Sequence, residues 1–219
     1  MGMPHLDVLP AAQRRLWDEL GQVPRAFVLY GGTAIALQLG HRQSIDFDFF
    51  TPAPLDVEGL QREVPFLREA VTLRQAPGAW TVRVDRQGAV KVSMLHTPFM
   101  KQLESPAPLS AGGCRVAALL DLAAAKASVV QQRAEAKDYL DVDALILSGI
   151  SLPKILAAAS LVHGQRFDPQ STLKALCYFG DGDLPSVPSE VQMRLRAAVR
   201  EVNLQNLPVL AITPVEIGA

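Results

Sequence analysis

The chain has 219 residues, of which 49% are hydrophobic and 20% charged. This is enough apolar material to fill one large domain or two small ones, and it excludes wholesale disorder. With 21 basic and 22 acidic side chains the formal net charge is −1, which argues against a bulk electrostatic grip on nucleic acid or an anionic membrane and leaves room only for a local basic groove.

In chain order, Pro10 to Leu20 reads as a helix with Leu16, Trp17 and Leu20 as its apolar stripe. Phe27 to Tyr30 is a short apolar run stopped by Gly31-Gly32, the pattern of a buried strand ending in a tight turn. Thr33 is a candidate cap for a short helix, Ala34 to Leu39, closed by Gly40. Ser44 to Phe50 alternates Ile45, Phe47 and Phe49 with Ser44, Asp46 and Asp48, a strand with one apolar and one polar face. Val57 to Arg68 reads as helical with a break at Pro65. Val71 to Leu73, Trp80 to Val84 and Ala89 to Leu95 read as strands, the last two joined by a hairpin at Arg86-Gln87-Gly88.

Pro98 to Pro108 is irregular, and beyond it the chain turns helical: Val116 to Gln132, Glu135 to Leu147, Leu152 to His163, a helix opened by Asp168 as cap with Pro169 in its first turn, and Ser189 to Asn203. This predicts a mixed α/β N-terminal half and a helical C-terminal half, divided between Pro98 and Cys114. Cys114 and Cys177 make no disulfide framework and no zinc spacing, so both read as reduced core thiols. Trp17, Trp80, Leu176, Tyr178 and Phe179 read as core. Met1 to Leu9 lacks the order of a signal peptide, and the richest apolar stretch, Val116 to Val130, is broken by Asp121 and Lys126. A soluble, cytoplasmic protein with no membrane partner is expected.

The most informative stretch is Gly31-Gly32-Thr33 through Ser44-Ile45-Asp46-Phe47-Asp48-Phe49-Phe50. Two aspartates at i and i+2 of a strand share a face. Holding them together is costly without a counter-charge, and a hard divalent cation such as Mg²⁺ suits a site of few carboxylates completed by phosphate and water oxygens. Ile45, Phe47 and Phe49 would anchor the other face in the core. A glycine turn at a strand end exposes backbone N–H groups to which a phosphate can come close, and Thr33 and Ser44 add hydroxyls. Asp-x-Asp alone is as well explained by an exposed strand face, and Gly-Gly alone by an ordinary turn. Their ordered combination is more specific, and it is not a P-loop, since no Gly-Lys-Ser/Thr follows.

This combination, with Ala34-Ile35-Ala36-Leu37 after the glycines and Gly40-His41-Arg42-Gln43 before Ser44, resembles the first two motifs of the AbiEii/AbiGii-type nucleotidyltransferases of the polymerase-β-like superfamily. Val90 to Met94 sits where a neighbouring strand of that family is expected. Asp121, Lys126, Arg133, Lys137, Asp138 and Asp141 resemble its helical motif. The resemblance implies an α+β fold. A polymerase-β-like nucleotidyltransferase domain, a mixed sheet with flanking helices, would span residues 1–110. A helical domain over 111–219 would contribute to the active-site cleft.

It also implies that Asp46 and Asp48 bind Mg²⁺ or Mn²⁺. Gly31, Gly32, Thr33, Arg42, Ser44, Lys91 and Arg133 would hold a nucleoside triphosphate, and Lys126 and Asp138 would join the aspartates in catalysis. Where a third carboxylate often stands the chain has Ser93, which leaves three alternatives: one cation is held mainly by Asp46 and Asp48, or Asp85, Asp138 or Asp141 helps, or the enzyme is weak. Lys126, Arg133 and Lys137, spaced by seven and four, form one basic stripe if the helix runs unbroken, and Lys137 and Asp141 have the spacing of a helical ion pair. The alternative is a solvated, salt-bridged helix face. Lys126 is set among Ala123, Ala124, Ala125 and Ala127, which would allow close approach of a triphosphate. His41 reads as structural or exposed, and Arg42 as a partner for a carboxylate of the site or for a phosphate.

The function implied is transfer of a nucleoside monophosphate from an NTP to a hydroxyl of tRNA or protein, by a toxin of a toxin–antitoxin system with a cognate antitoxin. Two alternatives stand beside it. Ser93 motivates a non-catalytic nucleotide- or partner-binding member of the same fold. A small-molecule nucleotidyltransferase of the aminoglycoside type has no residue in particular in its favour.

Overall fold

The structure is a computed structural model that describes residues 3–111 and 113–211; the ends of both expected domains, at positions 1–2 and 212–219, and position 112 lie outside the described residues. Two compact units are resolved. Among the described residues, one runs to Met100 and takes in Pro106–Ala117, and the other consists of Lys101–Ser105 and the chain from Ala118 to Ala211.

The first unit is built on a mixed seven-stranded sheet. Its strands are β1 (Val28–Tyr30), β2 (Asp46–Thr51), β3 (Val71–Ala76), β4 (Ala79–Asp85), β5 (Ala89–His96), β6 (Ala107–Pro108) and β7 (Arg115–Val116). Their order is β3-β4-β5-β2-β1-β7-β6. β2 runs parallel to β5 and antiparallel to β1, which in turn runs parallel to β7. The acidic strand is therefore central, with a hydrogen-bonded neighbour on each edge. Its alternation is the expected one: Phe47, Phe49 and Thr51 are buried, while Asp46, Asp48 and Phe50 are partly exposed. Burying each phenylalanine contributes about 1.5–3 kcal/mol, which fixes the strand's facing and so directs both aspartates to the opposite side. Ile45 does not join that anchor. It precedes the strand and is 57% exposed.

Helix α1 (Ala11–Trp17) buries Leu16 and Trp17, and Leu20 is buried in the 3-10 turn that follows. Helix α2 (Gly31–Leu39) follows β1 directly, and Gly40 closes it in the left-handed conformation. The expected break at Pro65 separates α3 (Val57–Glu63) from α4 (Pro65–Arg68). The β4–β5 hairpin turns through Gln87 at φ 57°. Arg86 ties this turn to the N-terminal segment through Glu19, at 2.5 and 2.8 Å.

The second unit contains α5 (Leu119–Val129), α6 (Ala136–Leu147), α7 (Leu152–His163), α8 (Pro169–Ala175) and α9 (Ser189–Arg200). Asp168 caps α8 as expected, accepting from Gln170 N and Ser171 N. Helix α5 begins later than the sequence suggested, because Arg115 and Val116 belong to β7. The chain is also non-helical between α5 and α6, so Lys126, Arg133 and Lys137 do not form one continuous stripe. Two further expectations are corrected: Cys177 and Tyr178 are exposed, the latter by 60%, whereas Cys114, Leu176, Phe179, Trp17 and Trp80 are buried. No single helix among the described residues is long and apolar enough to cross a membrane.

Candidate active site

The polar face of the sheet is ordered by strand register. Tyr30, Asp48, Ser93 and Thr81 are successive partners across β1, β2, β5 and β4, and Asp46, Lys91 and Arg83 form the next row. Directly paired residues project from the same face. The register therefore sets the two aspartates beside a basic residue and two hydroxyls. The Lys91 ammonium lies 2.8 Å from Asp46 Oδ2, with the two side chains 45% and 33% exposed. Ser93 is buried, and Thr81 Oγ1 lies 3.5 Å from its hydroxyl. Sequence reasoning missed Thr81 and Arg83. Counting back from the tight turn at Arg86-Gln87-Gly88 would have placed Arg83 opposite Lys91 and Thr81 opposite Ser93.

Gly31 closes the other side of the pair. Its φ is +76°, and a Cβ added there would stand 3.1 Å from Asp48 Oδ2. Only glycine fits both the backbone and the approach. Helix α2 starts at this point, and Tyr30 at its N-cap makes no side-chain cap, so the first-turn N–H groups lie beside the acidic strand. Thr33 is not a cap. It sits inside the helix, 2% exposed, where its hydroxyl donates to Asp46 O and lies 2.7 Å from the Ser44 hydroxyl. Thr33 and Ser44 thus fasten the first turn of α2 to the start of β2 and act on the site by fixing where Asp46 stands. Arg42 Nη1 donates to Gln43 O at 2.8 Å. His41 is half-buried.

Asp46 and Asp48 fit a divalent cation by donor chemistry. They are two hard carboxylates on one face of a rigid strand, a set suited to Mg²⁺ completed by phosphate and water oxygens, and a lysine ammonium already rests on one of them. Among the described residues no group of three or more His, Cys, Asp or Glu side chains gathers into a metal site. Asp85, a candidate third ligand, accepts from Gln87 N in the hairpin turn.

Lys126, Arg133, Asp138 and Asp141 form a constellation inside the helical unit. The Lys126 ammonium lies 2.6 Å from Asp138 Oδ1 and 2.6 Å from Asp141 Oδ2, and both carboxylates are fully buried. Arg133 donates to Asp138 from Nε at 2.7 Å and Nη2 at 3.1 Å, with its side chain 45% exposed. Burial works to raise the Asp138 pKa, but the Arg133 hydrogen bond and the Lys126 charge outweigh it and hold the carboxyl below its ordinary value. Lys126 is itself buried, with its ammonium against the two carboxylates of α6. The flanking Ala123, Ala124 and Ala127 are also buried, packed in the helical unit where α5 meets α7. Lys137 reaches Glu135 at 2.8 Å.

A profile of the family described as nucleotidyl transferase AbiEii toxin, type IV toxin–antitoxin system, matches residues 15–207. An uncharacterised protein of Aquifex aeolicus is 29% identical over 184 residues, covering 80% of this chain and 87% of that protein. Among solved structures, the fold is shared with MenT4, a nucleotidyltransferase toxin of Mycobacterium tuberculosis H37Rv, with a TM-score of 0.59 and 18% identity over 91% of this chain and 84% of that one. It is also shared with an H. pylori protein assigned by its description to the nucleotidyltransferases, with a TM-score of 0.53 and 18% identity over 90% and 92% of the two chains.

Proposed function

Because the chain belongs to the AbiEii nucleotidyl transferase toxin family, we propose that it transfers a nucleoside monophosphate from an NTP to an acceptor hydroxyl on tRNA or protein, at a metal site formed by Asp46 and Asp48. The observation that carries this reading is the shared face of the two aspartates, with the Gly31 turn against one and the Lys91 ammonium on the other. Family membership implies a cognate antitoxin.

The residues divide the work as follows. Gly31 and Gly32 present first-turn amides that receive phosphate oxygens, helped by the positive end of the α2 dipole. Asp46 and Asp48 hold the cation, Mg²⁺ or Mn²⁺, which when bound supplies charge neutralisation on the phosphates. Lys91 and Arg83 offer positive charge beside the pair. Thr33 and Ser44 keep β2 in place while charge is redistributed. In such chemistry positioning and electrostatics provide most of the rate. The acceptor oxygen bonds to the α-phosphorus as the bond to the departing pyrophosphate breaks.

The test is a labelling assay with each α-labelled NTP, Mg²⁺ or Mn²⁺, and total tRNA or cell lysate, beside Asp46→Ala. Label entering RNA or protein only with the intact aspartate supports the reading and identifies base and acceptor. Full labelling by a folded Asp46→Ala protein would sink it. A second reading, nucleotide binding without turnover, is favoured by one observation: the residue directly across from Asp48 is Ser93, not an acid. It predicts Mg²⁺-dependent NTP binding with no pyrophosphate release.

A further inference from the structure

The Lys91–Asp46 contact occupies the carboxylate on which the proposed site depends. Lys91 extends from β5 across one inter-strand step, and its ammonium stands 2.8 Å from Asp46 Oδ2. A cation bound between Asp46 and Asp48 would need that oxygen's electron pairs and would repel the ammonium beside it. On its other side Lys91 is paired in register with Arg83, and like charges placed opposite each other are unfavourable. Lys91 therefore has a favourable neighbour on the β2 side and an unfavourable one on the β4 side. A triphosphate held at the Gly31 turn would bring a further anion to the same face.

We propose that Lys91 is a built-in counter-ion which the metal must displace and which the nucleotide's phosphates then receive, so that Lys91 couples metal binding to triphosphate binding. The inference rests on the metal-site reading above and adds a sign to it: Lys91 opposes the bare metal and favours the phosphates. Without nucleotide, the site is held closed by its own lysine. With nucleotide, the same lysine contributes to binding. Coupling of this kind is reciprocal, so whatever factor the phosphates gain from the metal, the metal gains from the phosphates.

The experiment measures binding to the full chain, without turnover. Mn²⁺ alone is titrated by electron paramagnetic resonance, and tripolyphosphate in the presence of Mg²⁺ by calorimetry, for the wild type, Lys91→Met, Lys91→Arg and Asp46→Asn. The Lys91 side chain is partly exposed, so removing its charge should tighten Mn²⁺ binding by about three- to five-fold, the scale of an exposed ion pair. It should weaken tripolyphosphate binding by a similar factor. Lys91→Arg should stay near wild type in both, since it keeps the charge. A lysine that merely supports the fold would weaken both ligands together. Unchanged or weaker Mn²⁺ binding by Lys91→Met, with binding lost in Asp46→Asn, overturns the proposal and leaves the metal site standing. Absence of Mn²⁺ binding by both wild type and Lys91→Met overturns the proposal together with the metal reading.

Discussion

Replacing Lys126 by methionine is the sharpest test of what the helical unit's charges do. Methionine keeps most of the stem's volume, so little cavity opens. What is lost is one ammonium that sits 2.6 Å from each of two fully buried carboxylates. Removing one partner of a buried pair costs about 3–5 kcal/mol, because the charge left behind keeps its desolvation penalty. Against a typical total of about 5–15 kcal/mol, this is a large share of the protein's stability. Arg133 still covers Asp138, which places the expected loss near the lower bound. Urea denaturation followed by circular dichroism gives the number. Adding Asp138→Asn and Asp141→Asn to Lys126→Met should recover most of it, since the three buried charges are removed together and only the half-exposed Arg133 stays charged. A loss below about 1 kcal/mol in the single variant would refute the reasoning. Lost activity in a protein of unchanged stability would then place Lys126 in the chemistry and not in the scaffold. The same cluster has an acid signature. Asp138 is held below its ordinary value of 3.8, so its contribution is complete above that pH and fades as pH falls through the folded value. Lys126→Met should flatten that limb.

Three further outcomes are expected. Gly31→Ala forces φ +76° on a residue with a Cβ that would lie 3.1 Å from Asp48 Oδ2; it should cost about 1–2 kcal/mol, read as a lower Tm, and should lower kcat by displacing Asp48, whereas unaltered kinetics would detach Gly31 from the site. Burial pushes the Cys114 thiol up to about 12, while Cys177 is exposed, so a disulfide reagent should titrate one thiol in the native protein and both in urea, and Cys177→Ser should abolish the native reaction. Burial holds the His163 imidazole below its ordinary 6.5 despite a contact with Ala124 O; the unfolded chain therefore takes up the proton first, stability should decline as pH falls below about 6.5, and His163→Gln should lack that decline between pH values of about 7.5 and 5.5 in urea midpoints.

The β1–α2–β2 unit was legible because its signals are local: a glycine pair that stops a strand, Gly40 at a helix end, and strict alternation that puts Phe47 and Phe49 on one face and the aspartates on the other. β7 was not, because Arg115-Val116 has no strand signal of its own. It is a strand only by pairing with Val28-Leu29 and Ala107-Pro108, and in sequence Val116 looks like the first residue of an apolar helix. Thr33 shows the limit of local rules. Its spacing suits a helix cap, yet the cap geometry lost to two tertiary hydrogen bonds, one with Asp46 of β2 and one with Ser44 just before that strand. The Lys91–Asp46 contact spans 45 positions and depends on β5 docking parallel to β2, which no periodicity announces. Lys126 carried a similar ambiguity, and only the break between α5 and α6 showed that its partners are Asp138 and Asp141.

The central position of β2 also bears on when the site comes into being. A ribosome releases the chain from its N-terminus, and Asp46 emerges long before the strand that supplies its lysine. Pairing at a separation of 45 residues must wait for the β4–β5 hairpin to form and dock, and such non-local closure is slow compared with local turns and helices. β1 stays an open edge until Val116 has followed. Nascent or truncated chains ending before Ala89 thus carry the two aspartates on a strand that lacks its β5 neighbour and the Lys91 counter-charge. The acidic pair therefore acquires its surroundings late, and fragments released by early termination should lack the assembled site.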